Sequence, residues 1–255
     1  MDQIYIPKNR TGFNIGNYVV IKLLEAGIVE KSVEKLYFYR VKELEPLKLE
    51  IIREVMKTVS TFLDNYSNIL VTGSFLDEGF HFNDIDVLII TESKINPKLI
   101  KRGIERKTAI KGHVLIITNK EIANGLKTDP LYQMMLSRCV SKKRFIYKIE
   151  QNFDYKLLDL HLLKSKTLID NFEVLRGNEK HDLVRNLMSI YLFLKKKKIT
   201  VDSVNKEIKR SLGADVKEIK DNLLDKHGFL KNYKLIYNET FKIIIDGIKY
   251  GSKSE

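Results

Sequence analysis

Ile69-Leu70-Val71-Thr72-Gly73-Ser74-Phe75-Leu76-Asp77-Glu78-Gly79-Phe80-His81-Phe82-Asn83-Asp84-Ile85-Asp86-Val87-Leu88-Ile89-Ile90 is the stretch from which the rest of the chain can be read. Its apolar opening predicts a short buried strand over Ile69–Thr72, and Gly73-Ser74 starts a loop. A second strand, predicted over Ile85–Thr91, is entered through Asp84. Residues two apart on a strand face the same side, so Asp84 and Asp86 present their carboxylates together while Ile85 and Val87 turn into the core. Two like charges so placed repel, and at the mouth of a sheet a divalent cation resolves the repulsion. Mg²⁺ is hard, prefers oxygen, and typically takes one or two carboxylates plus substrate phosphates. Gly73 lets backbone approach a ligand closely, and the Ser74 N–H and hydroxyl suit phosphate oxygens. The pieces together describe a site for a metal-bound nucleoside triphosphate. The plain alternative is a hairpin with two solvated aspartates, but Asp is depleted from strands and two in an otherwise apolar run need a reason.

Upstream, Leu47, Ile51, Val55 and Val59 recur every four positions from Pro46 to Leu63 and predict an amphipathic helix. Further back lie a turn-rich piece, Pro7–Gly12, and Tyr18–Ile21, a short strand or helix start. Downstream, a polar stretch with Pro97 reads as a connection to a third strand, His113–Thr118. Asp129-Pro130 then predicts a capped helix through Leu131 and Met135, extending toward Cys139. Later apolar groups have helical spacing: Leu158 to Phe172 before Gly177, Leu183 to Leu194 before a lysine run, Val204 to Leu212 before Gly213, Ile219 and Leu223 before Gly228, and Phe241 to Ile248 before Gly251. Glycine tolerates the left-handed conformation that ends many helices. The expected fold is α+β: an N-terminal segment (1–46), a small mixed-sheet core (47–128) and an α-helical bundle (129–255). Gly and Pro total 17 of 255 residues, so few positions are left for loops.

The Gly73-Ser74 … Asp84-x-Asp86 pattern, preceded by a helix and a strand, resembles the signature of the DNA polymerase β-type nucleotidyltransferase superfamily over roughly residues 47–120. Gly79 also suits family loops that run Gly-Ser-x-x-x-x-Gly. The resemblance implies that Gly73 and Ser74 bind the triphosphate and that Asp84 and Asp86 hold Mg²⁺. The implied reaction moves a nucleoside monophosphate to an RNA end or a protein hydroxyl. Family enzymes usually carry a third carboxylate on a neighbouring strand. Here that strand, His113–Thr118, has no acid, and Glu105 and Glu121 lie outside it. His113 at the strand start could serve as base or ligand, though a lone histidine there is more often a plain surface residue. The departure keeps a second possibility in view, a degenerate fold that binds nucleotide or RNA without transfer.

Other residues have simpler roles. Arg176-x₄-His181 has the spacing of HEPN-type helical ribonucleases, but Gly177 as a helix end and Asn178 as the next cap explain it more simply. His161 and His227 suit packing, and Cys139 a buried inert thiol. Tyr37, Phe38 and Tyr39 form an aromatic cluster among basic residues, able to stack on bases or to fill a core.

Composition bounds the setting. With 45 Lys+Arg against 33 Asp+Glu the net charge is +12, which favours a polyanionic partner without naming it. Two runs are compact: Lys142-Lys143-Arg144 and Lys195-Lys196-Lys197-Lys198, the second placed where cations meet a helix C-terminus. If RNA is the acceptor, it should run along the Lys-rich helical half toward the aspartates. A single cysteine excludes a disulfide framework, no apolar run is long enough to span a bilayer, and Met1-Asp2-Gln3 opens no secretory signal. The expected setting is cytoplasmic with no membrane partner, and oligomeric state is not legible.

Overall fold

In the computed structural model, which describes residues 35–80, 82–147 and 150–251, one mixed sheet holds the strands of the described chain. These are β1 (Tyr37–Tyr39), β2 (Asn68–Thr72), β3 (Asp84–Ile90), β4 (Lys111–Ile117) and β5 (Cys139–Ser141), in the order β1-β5-β2-β3-β4. β3 runs antiparallel to β2 and parallel to β4, with Asp86 opposite Thr72 on one side and His113 on the other. The α+β architecture expected from the sequence is present. The turn Pro7–Gly12 and the segment Tyr18–Ile21 lie outside the described residues.

The alternation of β3 sorts its side chains onto two cores. Ile85, Val87 and Ile89 pack with Ile69 and Val71 against helices α1 (Pro46–Phe62) and α2 (Pro97–Thr108). Leu88 and Ile90 pack with Leu70, Ile117 and Cys139 against α3 (Asn119–Thr128) and α4 (Pro130–Leu136). Asp84 and Asp86 extend this second face toward the end of the sheet, beyond its apolar patch. A third core belongs to α5 (Tyr155–Asp170), α6 (Gly177–Leu194), α7 (Val201–Leu212), α8 (Val216–Lys220) and α9 (Lys226–Gly251), and Met134 of α4 joins it. His161 of α5 pairs with Asp129, 3.1 Å away, and Asp129 also caps α4 by accepting from the Leu131 N–H. From Lys35 onward the chain groups as one unit.

Several expectations need correction. The stretch around Pro97 is a helix: Asn96 caps it, accepting from the Lys98 N–H at 2.9 Å, and Pro97 takes the first helical position. Its apolar stripe is thin because Gly103 does part of the packing; a Cβ there would lie 2.6 Å from Phe62. Cys139 belongs to β5, not to the helix begun at Pro130, which ends at Leu136. β1 and β5 therefore carry the sheet beyond residues 47–128 at both ends, so those boundaries cut across it. Burial pushes the Cys139 thiol up to about 12, as suits an inert core group.

The α1 face is rotated from the expected one. Leu47 is 54% exposed, and the buried line is Lys48, Ile52, Val55 and Val59. Glycines also change roles. Gly213 takes the left-handed cap after α7, with φ of 71°. Gly177 instead opens α6 behind Arg176, whose N–H donates to Glu179 at 2.7 Å, and Gly228 lies inside α9. No helix of the described residues is long and apolar enough to cross a membrane.

Gly177 is required by close approach: a Cβ there would sit 2.0 Å from the Lys220 carbonyl oxygen. Backbone cannot give way as a flexible side chain can. Gly177→Ala should cost about 2 kcal/mol, read as a lower urea midpoint at unchanged m-value. A midpoint equal to wild type would refute this contact.

Candidate functional site

β3 enters the sheet at Asp84, and the register of its neighbours decides what surrounds the two carboxylates. Lys111 of β4 pairs with Asp84 and His113 with Asp86. Parallel partners at matched positions share a face, so these four side chains lie together at one end of the sheet. His113 is 78% exposed, and its Nδ1 is 3.1 Å from Asp86 Oδ1. The other oxygen, Oδ2, faces Gly73, where a Cβ would come within 2.1 Å of it. Gly73 also has φ of 82°. Position 73 therefore needs glycine twice, for its backbone angle and for the space Asp86 occupies. Ser74 follows, exposed, at the start of a single 3₁₀ turn over Ser74–Leu76.

The sequence-predicted residues thus converge: Gly73, Ser74, Asp84 and Asp86 share one end of one sheet face. The expected absence of an acid on the third strand also holds, with His113 at the matching position. Glu105 and Glu121 are committed elsewhere. Glu105 accepts from the Gly112 N–H at 3.2 Å, and Glu121 forms a capping box with Thr118.

Burial pushes the Asp86 carboxyl above the ordinary range and the nearby Asp84 charge adds to this; His113 and Arg185 pull the other way. Arg185 comes from α6, so the helical region supplies a positive charge that Asp86 feels. It lies 3.2 Å from Asp182, and its Nε is buried with no hydrogen-bond partner among the described residues. Burial alone would raise Asp182, but His181 and Arg185 hold it below the usual carboxylate range. Sequence reasoning passed over Arg185; its signal was only its place one turn beyond His181 on an apolar helix.

The loop between β2 and β3 is fixed by a second residue that sequence reading missed. Lys48 is fully buried. Its ammonium donates to the Asp77 carbonyl, lies 3.0 Å from Glu45 Oε2, and faces the rings of Phe75, Phe80 and Phe82 at 5.9, 5.3 and 5.7 Å. Glu45 Oε1 in turn accepts from the Gly79 N–H at 2.6 Å. Both ends of the 73–83 loop are thereby tied to the start of α1.

The donor set bears directly on a metal. Among the described residues no group of three His, Cys, Asp or Glu side chains is arranged to hold an ion. Two carboxylates on one face fit a Mg²⁺ that brings phosphate oxygens with it, since such an ion is commonly shared between protein and substrate. They do not make a complete cage for a resident ion. No protein-family model matches the chain, and no curated protein matches it.

Removing the ammonium leaves the Asp77 carbonyl without its donor, while Glu45 keeps contact with water. Lys48→Met should lower stability by about 1–3 kcal/mol and speed amide exchange over residues 77–80. Exchange there at the wild-type rate would show that the loop is held by something else.

Proposed function

We propose that this protein is a Mg²⁺-dependent nucleotidyltransferase that moves a nucleoside monophosphate from a nucleoside triphosphate to an acceptor hydroxyl, on an RNA end or a protein. The observation that carries this is the Asp86 carboxylate seated against the bare backbone of Gly73, with Asp84 beside it and Ser74 exposed next to it. A hairpin with two solvated aspartates needs no such fit. The likeness of Gly73-Ser74 … Asp84-x-Asp86 to the DNA polymerase β-type nucleotidyltransferase signature supports the same reading.

In this mechanism Gly73 and Ser74 receive the triphosphate through backbone N–H groups and the Ser74 hydroxyl. Asp84 and Asp86 would hold the Mg²⁺, which supplies charge neutralisation at the phosphates. Arg185 and Lys111 add positive charge at the rim, where the phosphate charge gathers. The acceptor oxygen bonds to the α-phosphorus as the bond to the pyrophosphate oxygen breaks. His113, exposed and oriented by Asp86, takes the proton of the attacking hydroxyl. Orientation and electrostatics carry most of the rate in phosphoryl transfer of this kind.

One observation favours a second reading, in which nucleotide is bound without transfer. β4, the neighbouring strand, carries no acid, and the register partner of Asp86 on it is His113. The two readings part in one experiment: α-labelled nucleoside triphosphates with Mg²⁺, total RNA and cell protein. Transfer by the wild type, reduced at least about a hundredfold in Asp84→Asn and Asp86→Asn, is the expected result. Labelling that survives both substitutions would sink this active site. Under the second reading the wild type binds the triphosphate without labelling anything, and His113→Asp gains transfer.

A further inference from the structure

A groove of about 760 Å³ runs between the β1 side of the sheet and the end of α6. Its lining combines two chemistries. Tyr39, Phe145 and Tyr147 form a continuous set of rings, with centroids 6.2 and 4.9 Å apart, each ring half-buried and so open along part of its surface. Lys196, Lys197 and Lys198 line the same groove and are exposed. With Arg40 they make four cations against one carboxylate, Glu150.

The lysine run is also held at a conformational cost. α6 ends in a Schellman motif: the Lys197 N–H donates to Leu192 and the Lys196 N–H to Phe193, both at 2.9 Å. The left-handed position of that motif normally takes glycine, yet here it is Lys196, with φ of 53°. A side chain with a Cβ costs about 1–2 kcal/mol in that region. Ala109 takes the same left-handed cap after α2, so what sets this position apart is the charge it carries into the groove.

The groove adjoins a second cavity on the side of the loop that follows Gly73. Arg40 and Ser137 line both, and the second, of about 310 Å³, reaches Arg138 and Leu76. Leu76 closes the turn that starts at Gly73-Ser74. In this second cavity Arg40, Lys42 and Arg138 are balanced by Glu43, Glu78 and Asp202. Positive charge is thus in surplus in the groove and cancels nearer the turn.

We propose that the groove binds a single-stranded polynucleotide, with bases on Tyr39, Phe145 and Tyr147 and phosphates on Lys196–Lys198, and delivers its terminal hydroxyl to the site at Gly73 and Asp86. This rests on the nucleotidyltransferase reading for the role of the hydroxyl, while the binding itself does not. Stacking and phosphate pairing are complementary: rings accept any base face, and lysines follow the backbone. The rings pack on the core of the sheet face with one part of their surface and leave the rest open beside the lysines. An acidic protein would use the lysines but not the ring surface.

The test is binding of a short labelled oligouridylate, and of an oligothymidylate of equal length, to the full chain by fluorescence anisotropy across about 50 to 200 mM salt. Lys197→Ala/Lys198→Ala should weaken binding and flatten the log–log salt slope by roughly 1.4, about 0.7 for each phosphate deprived of its lysine. Tyr147→Ala should weaken it about tenfold. The lysine variant should melt as the wild type does, the Tyr147 variant should stay folded at the assay temperature, and both should bind a fluorescent ATP analogue equally well. Tighter binding of the oligouridylate identifies RNA as the strand; equal binding supports any single strand. No binding by the wild type, or variants that bind like it, overturns the groove, as does transfer to protein that the lysine and tyrosine substitutions leave intact while neither oligonucleotide binds. Oligonucleotide binding as expected, together with labelling indifferent to Asp84→Asn, would leave the groove standing and remove the transferase reading.

Discussion

Lys48 has no exposed surface, and the loop from Gly73 to Phe82 is arranged around its ammonium. Taking a charge out of water costs several kcal/mol, so the site must return hydrogen bonds and opposite charge. It does so with the Asp77 carbonyl, the Glu45 carboxylate and three phenyl rings, each cation–ring contact contributing about 0.5–2 kcal/mol. Because the carbonyl and the rings all come from the loop, the lysine can be buried only when the loop takes this one path. That path sets the turn at Gly73, and the turn sets the backbone against which Asp86 lies. A helix position thereby governs the geometry of a carboxylate on a strand.

The core of the site was legible from local signals. β2, β3 and β4 are short apolar runs with clear breaks, and period-two alternation puts Asp84 and Asp86 on one face whatever the rest of the fold does. What was not legible depends on partners distant in sequence. Leu47 and Lys48 are neighbours on α1, and simple periodicity prefers the leucine inside. The lysine wins because Asp77 and the phenylalanines reach it from the far side of β2. β1 and β5 are three residues each, too short to show alternation, and pairing with each other and with β2 is what defines them. α2 hid behind a sparse apolar pattern because Gly103 packs by closeness. Gly177 and Gly228 look like helix ends in sequence, but neither takes the left-handed angle, and only a neighbouring backbone explains the first.

Charge is partitioned along one face of the sheet. At one end two aspartates lie together; His113 and Arg185 offset the charge of Asp86, and Lys111 is the register partner of Asp84. Toward β1 the same face meets the lysine run after α6. Part of the basic surplus of +12 is therefore gathered in the groove, next to a charge-balanced cavity that reaches the loop after Gly73. A uniformly basic surface would pull a polyanion equally in all directions; this arrangement gives it a direction. α6 links the ends, since Arg185 sits near Asp86 and the lysines follow its last turn.

His113 shows how one substitution of residue type alters what a site can hold. An acid at that position would add a third negative charge beside Asp84 and Asp86, and the cluster would need a cation to be stable at all. A histidine does the reverse: its ring nitrogen lies against Asp86 Oδ1 and relieves the pair. The two aspartates lie side by side on one face of β3, and this contact offsets part of the cost of burying Asp86. The pair is thus partly balanced by side chains of the protein itself, and Asp86 lies half-buried between the His113 ring and the backbone of Gly73.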